Sequence, residues 1–518
     1  MRICVAIVLA LMACGGDGDE LTITIDTGTL HGGKTDDVRH FMGIPYAAPP
    51  IGPLRFRVPQ PVEPWTGVRA ALETGAMCPQ TLSPGGPSDE EDCLYLNVWA
   101  PSGAHDLPVM VWLHGGAFLY GSGGDKYYDG TLLAKRGVVI VTINYRLGPF
   151  GFLAHPALTA EDPAYPTSGN YGLEDQRAAL QWVQRNIAAF GGDPAHVTLF
   201  GESAGGFSTC VHYLSSRTHG LFEAAISESG LCGMPDFAPL HATAEAHGVD
   251  LAEKLGCPGT DAATAACLRG KTVKELMDAT ATLPIPDQLP GGLAYQAIVL
   301  PNVIPNVDGF VIERPLREAL LAGAFEPRPM LLGNTKDEGT MFHSSLSAKE
   351  VTDETQYRDA LAIRFPNSVD AIMARYPVSA YPSPNAALAE VTGDAFFVCP
   401  TRVAARALAA HGVAVYRYLF AHPLAFPVLS DLGVFHSSDL PYVFGNNDFP
   451  LGRIDAPPLV DTVQTYWTQF GKVGDPNTTS TMAWPSFTSS TTTVVLDEPL
   501  STTTSYKDDV CDFWDSIE

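Results

Sequence analysis

The chain has 518 residues, of which 46% are hydrophobic and 9% aromatic, so it supports a large packed core and is neither disordered nor collagen-like. Its charged residues are few and mostly acidic: 31 Lys and Arg against 57 Asp and Glu give a net charge of −26. That charge repels phosphate backbones, which disfavours nucleic-acid partners, and it weakens attraction to anionic lipid head groups.

The N-terminal residues resemble an export signal. An apolar run over residues 3–12 is too short to span a bilayer but suits the core of a secretory signal. Its ending, Leu11-Met12-Ala13-Cys14, is similar to a bacterial lipobox, in which Cys14 is lipidated and becomes the new N-terminus. We therefore predict a lipoprotein-type signal peptide over 1–13 and a tether over 14–20. The alternatives are simple cleavage with release to the periplasm or the medium, or no export.

The cysteines fit an exported chain. Cys4 and Cys14 lie in the signal region, which leaves eight of the ten for the folded part. Export permits disulfides, and local spacing favours the short loops Cys78–Cys93 and Cys257–Cys267, although spacing alone cannot establish the pairing. There is no C-x-x-C pair and no Cys/His cluster, so no structural zinc site is predicted.

The first half of the chain alternates strand-like and helix-like segments. After a short β patch over Leu21–Ile25, four apolar, β-branched runs bounded by turn residues predict buried strands of a mainly parallel sheet: Leu94–Trp99, Val109–Leu113, Val138–Ile143 and Val197–Phe200. The clearest helix pattern covers Leu173–Phe190 and ends at Gly191-Gly192. This alternation predicts a doubly wound α/β architecture.

Two later stretches depart from the pattern. Residues 236–287 are rich in Ala and helix-prone, which predicts an insertion over one edge of the sheet. After Asn477 the chain is rich in Ser and Thr, with a short strand predicted near Thr493–Leu496. We interpret this end as a last strand with long loops, because Trp484 and Trp514 need a core to pack against.

The strongest local signal for chemistry is Gly201-Glu202-Ser203-Ala204-Gly205. It follows the strand-like residues 196–200 and precedes a helix-compatible run over 206–214. A nucleophilic serine needs such a strained strand-to-helix turn, and glycines on either side remove Cβ atoms that would collide there. The helix N-terminus can then stabilise negative charge near Ser203. The alternative is an ordinary turn serine.

A second small-residue loop, His114-Gly115-Gly116-Ala117-Phe118, directly follows a predicted strand. This is where the remaining donors of an oxyanion hole are expected, although an ordinary glycine-rich turn is the alternative. Neither a G-x-G-x-x-G pattern nor a G-x-x-x-x-G-K-[ST] loop is present, so a nucleotide cofactor lacks support.

A catalytic serine needs a base and an acid that orients it. In enzymes whose nucleophilic serine lies in such a strand-to-helix turn, called a nucleophile elbow, the order of these residues along the chain is Ser, then Asp or Glu, then His. Asp337 and Glu338 both follow the apolar run 330–333, and His422 and His436 both lie in later loops. Order and spacing do not choose between the members of either pair.

Several separated motifs then match one family in order. They are Phe41–Ala47, Leu54–Phe56, Glu91–Asn97, Gly169–Gln176 and Phe200–Gly206. From about Leu21 to Glu518 the sequence resembles the type-B carboxylesterases, which include cholinesterases, bile-salt-stimulated lipase and many bacterial esterases. The resemblance implies a single α/β-hydrolase domain over 21–518. A large, mostly parallel sheet would be flanked by helices, with insertions around an active-site gorge.

The resemblance also implies roles for individual residues. Ser203 would be the nucleophile, Glu338 the orienting acid and His436 the general base. The oxyanion donors would be the N–H groups of Gly116, Ala117 and Ala204, with Ala117 in place of the more common glycine. Glu202 and Ser229 would form a buried polar pair beside this triad, or would simply be structural.

Further pairings follow from the resemblance. It implies the disulfides Cys78–Cys93, Cys257–Cys267 and Cys399–Cys511, and the salt bridges Arg55–Glu91 and Arg146–Asp175. It does not account for Cys210 and Cys232.

The implied activity is hydrolysis of apolar or short-to-medium-chain carboxylic esters through an acyl-enzyme, without metal or cofactor. The alternatives are a non-catalytic adhesion member of the same fold and a true long-chain lipase. The loop between Cys78 and Cys93 contains no tryptophan, so the choline-binding platform of the cholinesterases is missing. Phe118, Tyr120 and Phe342 could line an apolar pocket, although core packing is their default. The sequence does not indicate an oligomeric state.

Overall fold

The structure is a computed structural model that describes residues 20–81, 86–235, 237–281, 303–344, 350–425, 431–450, 452–487 and 491–517. The predicted signal peptide, Cys14 and the tether up to residue 19 lie outside these ranges. Within them, no helix combines the length and the hydropathy that crossing a lipid bilayer requires.

Two sheets organise the described residues. A small sheet contains β1 (Thr22–Ile25), β2 (Gly28–His31) and β5 (Val68–Ala70). The central sheet contains eleven strands: β3 (Gly33–Thr35), β4 (Val38–Pro45), β6 (Tyr95–Pro101), β7 (Leu107–Leu113), β8 (Val139–Ile143), β9 (Gly192–Glu202), β10 (Ala224–Glu228), β11 (Met330–Thr335), β12 (Val415–Phe420), β13 (Thr492–Leu496) and β14 (Ser501–Thr504).

The central sheet is mostly parallel, as predicted. Its order is β14-β13-β12-β11-β10-β9-β7-β8-β6-β4-β3. The strands from β8 through β7 and β9 to β13 run parallel, whereas both edges are antiparallel. Strand β6 matches one of the predicted buried runs but is antiparallel to both neighbours. Its apolar pattern could not reveal its direction, because it is buried on both faces like the parallel strands.

Helices and irregular segments surround the central sheet. The helices are α1 (Thr131–Ala134), α2 (Gly148–Phe152), α3 (Pro156–Thr159), α4 (Tyr171–Asn186), α5 (Ala204–Leu214), α6 (His241–Lys254), α7 (Ala262–Arg269), α8 (Val273–Ala281), α9 (Leu316–Ala322), α10 (Glu354–Arg364), α11 (Val369–Arg375), α12 (Pro384–Thr392), α13 (Cys399–Ala410), α14 (Leu440–Phe444), α15 (Pro457–Val473) and α16 (Asp508–Ile517). Three of them, α6 to α8, form the described part of the predicted helical insertion.

The sheet separates two hydrophobic cores. Val111 of β7 packs into one core with residues of α4 and α5, and the next residue, Trp112, packs into the other with residues of α14 and α15. This alternation is the period of two that a strand imposes on its side chains. Trp484 and Trp514 are both buried, which confirms that the C-terminal residues pack onto the fold.

Four disulfides tie the described residues together. Three are the implied bridges Cys78–Cys93, Cys257–Cys267 and Cys399–Cys511. The fourth joins Cys210 to Cys232, whose Cα atoms are 5.6 Å apart. The sequence left these two unassigned because their proximity arises only when the segment after β10 packs against α5.

Candidate active site

Ser203 lies in a sharp turn between β9 and α5. Its backbone has φ 56° and ψ −118°, a conformation that residues with a side chain rarely adopt. Its N–H donates to the backbone oxygen of Glu228 at 2.9 Å, which fixes the turn against β10. A Cβ at Gly205 would collide with the carbonyl oxygen of Leu113, so only glycine fits this approach. The predicted elbow is therefore present, with the Ser203 side chain partly exposed.

The glycine-rich loop after β7 lies against this turn. A Cβ on Gly115 would be 2.6 Å from Glu202 Oε2 and 3.2 Å from the Cβ of Ser203. The next residues, Gly116 and Ala117, have φ angles of 100° and 53°. Within the described part of the chain, no acceptor takes the backbone N–H of Gly116, Ala117 or Ala204. The three predicted donors thus remain available for an external oxygen atom.

Glu338 contacts the imidazole of His436. Its Oε2 lies 2.6 Å from His436 Nδ1. Its Oε1 accepts hydrogen bonds from Ser229 Oγ at 2.5 Å and from the N–H of Thr335 at 2.8 Å. The carboxylate is buried, and both of its oxygens have partners. Such an arrangement fixes the orientation of the imidazole ring.

Asp337, the other acidic candidate, contacts the backbone of the histidine loop, the segment of residues 433–440 that carries His436. Its N–H donates to the oxygen of Val434 at 2.9 Å, and its Oδ2 accepts from the N–H of Val434 at 2.8 Å. A parallel bridge also pairs Asp337 with Phe435. The two adjacent acids therefore have different contacts: Asp337 holds the loop, and Glu338 contacts the ring that the loop carries.

His436 lies in a buried, acidic environment. Its ring packs against Phe342 and Phe397, with centroids 5.1 and 4.8 Å away. Burial disfavours the imidazolium, but the carboxylates of Glu202 and Glu338 outweigh that effect and raise the pKa of His436 to about 9. The second ring nitrogen, Nε2, lies 3.2 Å from Glu202 Oε1. In this structure no hydrogen bond joins Nε2 to Ser203 Oγ.

Glu202 and Ser229 lie on opposite sides of the imidazole rather than forming a contacting pair. Ser229 donates to Glu338 on the Nδ1 side, and Glu202 lies on the Nε2 side and accepts from Ser437 Oγ at 2.6 Å. Burial raises the pKa of Glu202, whereas the positive charge of His436 lowers it. Glu338 therefore contacts Nδ1 of His436, and Glu202 contacts Nε2.

His422, the other candidate base, lies in a separate cluster. Its Nδ1 is 2.8 Å from Asp497 Oδ1 and its Nε2 is 3.0 Å from Asp455 Oδ1, so both nitrogens already contact carboxylates. In the described residues, no group of three or more His, Cys, Asp or Glu side chains could hold a metal ion.

The three aromatic candidates differ in their surroundings. Phe118 is fully buried and packs edge-on against Phe152 and Phe207, so it belongs to the core. Phe342 contacts the ring of His436, and Tyr120 is partly exposed beside the glycine-rich loop.

Sequence reasoning missed several residues around this site. Phe397 lies in a π-helical segment, Gly393–Val398, whose irregular pattern gives no clear periodicity signal. Glu228 and Asp439 are buried near the site, and their only sequence signals were an acid at the end of a strand and an acid within the histidine loop.

The profile of the Carboxylesterase family matches residues 19–514, nearly the whole chain. The chain belongs to this family. It is 36% identical to the para-nitrobenzyl esterase of Bacillus subtilis (strain 168) over 92% of the chain and 95% of that protein. It is 33% identical to the acetylcholinesterase of Bungarus fasciatus over 96% of the chain and 86% of that protein.

A solved structure of PNB esterase matches this fold. The TM-score is 0.81 at 34% sequence identity, with 95% of this chain and 99% of the other covered. The fold is therefore that of the α/β-hydrolases. With relatives named as esterases across almost the full length, this carboxylesterase is a carboxylic ester hydrolase whose substrates are small-molecule esters.

Proposed function

We propose that this carboxylesterase cleaves esters through a covalent acyl-enzyme on Ser203. The observation that carries the proposal is the partly exposed Ser203 side chain in a strained turn, beside three N–H groups that have no acceptor among the described residues. An ordinary turn serine would need neither the strain nor the unused donors. Glu338 at 2.6 Å from His436 adds the acid and base that such a nucleophile requires.

In the first half-reaction, Ser203 Oγ forms a bond to the ester carbonyl carbon while His436 Nε2 takes the hydroxyl proton. The carbonyl oxygen becomes an oxyanion that accepts hydrogen bonds from Gly116, Ala117 and Ala204. Each such donor is worth about 3–4 kcal/mol in the barrier. The carbon–oxygen bond to the alcohol then breaks, and His436 returns the proton to the leaving alcohol.

In the second half-reaction, water replaces the alcohol. His436 removes a proton from water, the resulting hydroxide bonds to the acyl carbon, and the bond to Ser203 Oγ breaks with return of the proton to Oγ. Glu338 keeps Nδ1 protonated and stabilises the imidazolium in both halves. Because Nε2 contacts Glu202 in the free protein, the ring must turn slightly toward Ser203 when substrate binds, as catalytic hydrogen bonds often tighten only in complexes.

The substrates we propose are apolar or short-to-medium-chain carboxylic esters. The aromatic rings of Phe342 and Phe397 beside His436 favour an apolar substrate group near the reacting carbonyl. The similarity to the para-nitrobenzyl esterase supports the same class. A choline ester is disfavoured despite the similarity to an acetylcholinesterase, because the loop between Cys78 and Cys93 has no tryptophan to bind a quaternary ammonium group.

Labelling and turnover together test the mechanism. A radiolabelled organophosphate should attach to one site per chain, identified by peptide mapping as Ser203, and Ser203→Ala should take no label. A panel of p-nitrophenyl esters from acetate to palmitate should show the highest kcat/KM at short-to-medium chain length. Absence of both label and turnover would favour the non-catalytic adhesion alternative, and a maximum at palmitate would favour the lipase alternative.

We also propose that Cys14 anchors the domain of residues 21–518 to a bacterial membrane through a lipid. The four disulfides support export, because such bonds form in oxidising compartments. Cys14→Ala should move the enzyme from the membrane fraction to the soluble fraction and remove palmitate labelling. A wild-type protein that is already soluble outside the cell would contradict the anchor and leave simple secretion.

A further inference from the structure

Two buried acids lie near His436 and take no part in the proposed proton transfers. Glu228 ends β10, and Asp439 follows His436 by three residues at the start of α14. Both residues are almost fully buried, with exposed fractions of 0% and 1%. A buried carboxylate is costly unless its oxygens are hydrogen-bonded or its charge is neutralised.

Each acid accepts a hydrogen bond from a side chain of the described residues. The indole N–H of Trp467 donates to Glu228 Oε1 at 2.7 Å, and the hydroxyl of Tyr418 donates to Asp439 Oδ2 at 3.2 Å. The rings of Trp467 and Tyr418 pack edge to face with centroids 5.2 Å apart. The two donors pack against each other, and the charge of Asp439 acts directly on Glu228, so the two carboxyl groups lie near each other.

The sheet explains how this arrangement forms. Glu228, Gly333 and Tyr418 are register partners on the adjacent strands β10, β11 and β12. A Cβ on Gly333 would collide with the ring of Tyr418, so the ring occupies the space above the middle strand. The glycine thereby lets Tyr418 lie across β11, on the side of Glu228.

The other oxygen of each acid has no donor. Glu228 Oε2 and Asp439 Oδ1 are both buried and without a hydrogen-bond partner in the described residues. Two adjacent ionised carboxylates would leave both oxygens unsatisfied and would repel each other. One proton between the two groups would satisfy both oxygens and remove one negative charge.

We propose that Glu228 and Asp439 share one proton between Oε2 and Oδ1. By carrying one negative charge instead of two, this acid pair limits the negative charge around His436. The pair holds one net negative charge at neutral pH. The effect on catalysis rests on the proposed function of His436 as the base. The existence of the shared proton is independent of that function.

Electrostatics support the shared proton. Burial and the charge of Asp439 raise the pKa of Glu228 well above its usual range, and burial with the charges of Glu202 and Glu338 raises that of Asp439. Tyr418 has a raised pKa and stays neutral. The nearby positive charge that acts on Asp439 is that of His436.

The shared proton affects how easily His436 loses its own proton and becomes a base. Glu202 and Glu338 already favour the imidazolium by contacting both of its nitrogens. A further pair of negative charges would hold the ring protonated to still higher pH and prevent it from accepting a proton from Ser203. The shared proton therefore lowers the pH at which His436 becomes unprotonated, which is the pH at which kcat/KM rises; we call this rise the acid limb of the pH profile.

Infrared difference spectroscopy at pH 7 tests the proton directly. We expect the spectrum of wild type minus Glu228→Gln to show the carbonyl band of one protonated carboxyl group, shifted in D2O, and no loss of carboxylate signal. A difference spectrum dominated by a carboxylate band would mean that Glu228 is ionised and would overturn the proposal.

A second spectrum covers the case in which Glu228→Gln does not fold. A Glu202→Gln protein, which removes the contribution of Glu202, is then titrated from pH 7 upward. Conversion of a buried carboxyl band into a carboxylate band supports the shared proton, and an unchanged spectrum overturns it.

The pH profile of kcat/KM tests the effect on His436. Glu228→Gln removes the proton but no charge, so the acid limb should stay within about 0.3 pH units of wild type. Asp439→Asn, the matched variant, removes the charge of the pair, because burial keeps the remaining carboxyl group of Glu228 protonated, and should move the limb down by about one unit. A fall of about one unit in Glu228→Gln would contradict the proposal.

The two proposals can fail separately. If Ser203 takes no organophosphate label but the protonated carboxyl band is present, the proposed function is wrong and the shared proton stands. If Ser203 is labelled but the difference spectrum shows a carboxylate, the proposed function stands and the shared proton is wrong.

Discussion

At the scale of single residues, the charge that orients His436 also opposes its use as a base. Glu338 and Glu202 contact its two nitrogens at 2.6 and 3.2 Å, and together they raise its pKa to about 9 against the cost of burial. A general base acts only when it is unprotonated. The value of kcat/KM should therefore rise with pH through a limb above the ordinary histidine range, and fall as the pH decreases.

Glu202→Gln should move this limb to lower pH. The substitution removes a negative charge next to Nε2, so the pKa of His436 falls, by about one unit or more. The measurement is kcat/KM for a short p-nitrophenyl ester between pH 5 and 10. Asp193→Asn, at the opposite end of β9, serves as the control and should leave the limb in place. An unchanged limb in Glu202→Gln would mean that Glu202 is already neutral.

At the scale of loops and elements, the histidine loop is held by the segment after β11 that carries Asp337 and Glu338. Asp337 exchanges two hydrogen bonds with Val434, and Gly433 has φ 61° with the Asp337 carboxylate directly beside it. A Cβ at this glycine would collide with Asp337 Oδ2. The position of His436 relative to Ser203 thus depends on a glycine three residues away.

Gly433→Ala should reduce kcat/KM by about 10- to 100-fold, because displacing the loop by a fraction of an ångström misaligns the base. Gly412→Ala is a matched control: it also has positive φ, 80°, but nothing lies within 4 Å of its added Cβ. Both variants should lose about 1 kcal/mol of stability from the backbone conformation, measured by urea unfolding. Equal activities in the two variants would mean that the contact between Gly433 and Asp337 does not position His436.

The Cys210–Cys232 bridge connects α5, the helix after Ser203, to the segment after β10. It closes a loop of 22 residues, and loop entropy alone predicts that Cys210→Ala with Cys232→Ala lowers the free energy of unfolding by about 3 kcal/mol. Removing Cys399–Cys511, with a separation of 112, should cost more. Mass spectrometry of the intact protein with and without reduction counts the bridges, and four bridges should correspond to a gain of about eight hydrogens. A mass showing only three bridges would contradict the fourth.

At the scale of the whole molecule, the net charge of −26 should act on charged substrates. A protein field of this sign slows the approach of anionic esters and leaves neutral ones unaffected. We expect kcat/KM for a carboxylate-bearing ester to rise at least about twofold between 10 mM and 500 mM NaCl, because salt screens the repulsion. The matched neutral ester should show no such rise. Similar salt responses for the two esters would mean that the active site is shielded from the overall charge.

The sequence by itself determined the fold class, the strand-to-helix elbow at Ser203 and the glycine-rich loop after β7. These depend on local signals: buried runs of strand length, a turn that needs glycines, and a helical pattern. Helix α4 ends at Asn186, four residues before the predicted end, because residues 187–190 tighten into a 3-10 turn that Gly191 closes. The family followed because its motifs recur in order along the chain. Each of these features is encoded in a short stretch of residues, so it can be recognised without knowing what packs against it.

The tertiary structure decided which groups meet. The family resemblance implied that Glu338 orients His436, but only packing shows that Asp337 holds the loop and that Nε2 of His436 lies against Glu202. The same holds for the Cys210–Cys232 bridge and for the neighbouring acids Glu228 and Asp439. These contacts join residues from different strands and loops, and their distances and pKa shifts arise from burial, which no local pattern in the sequence encodes.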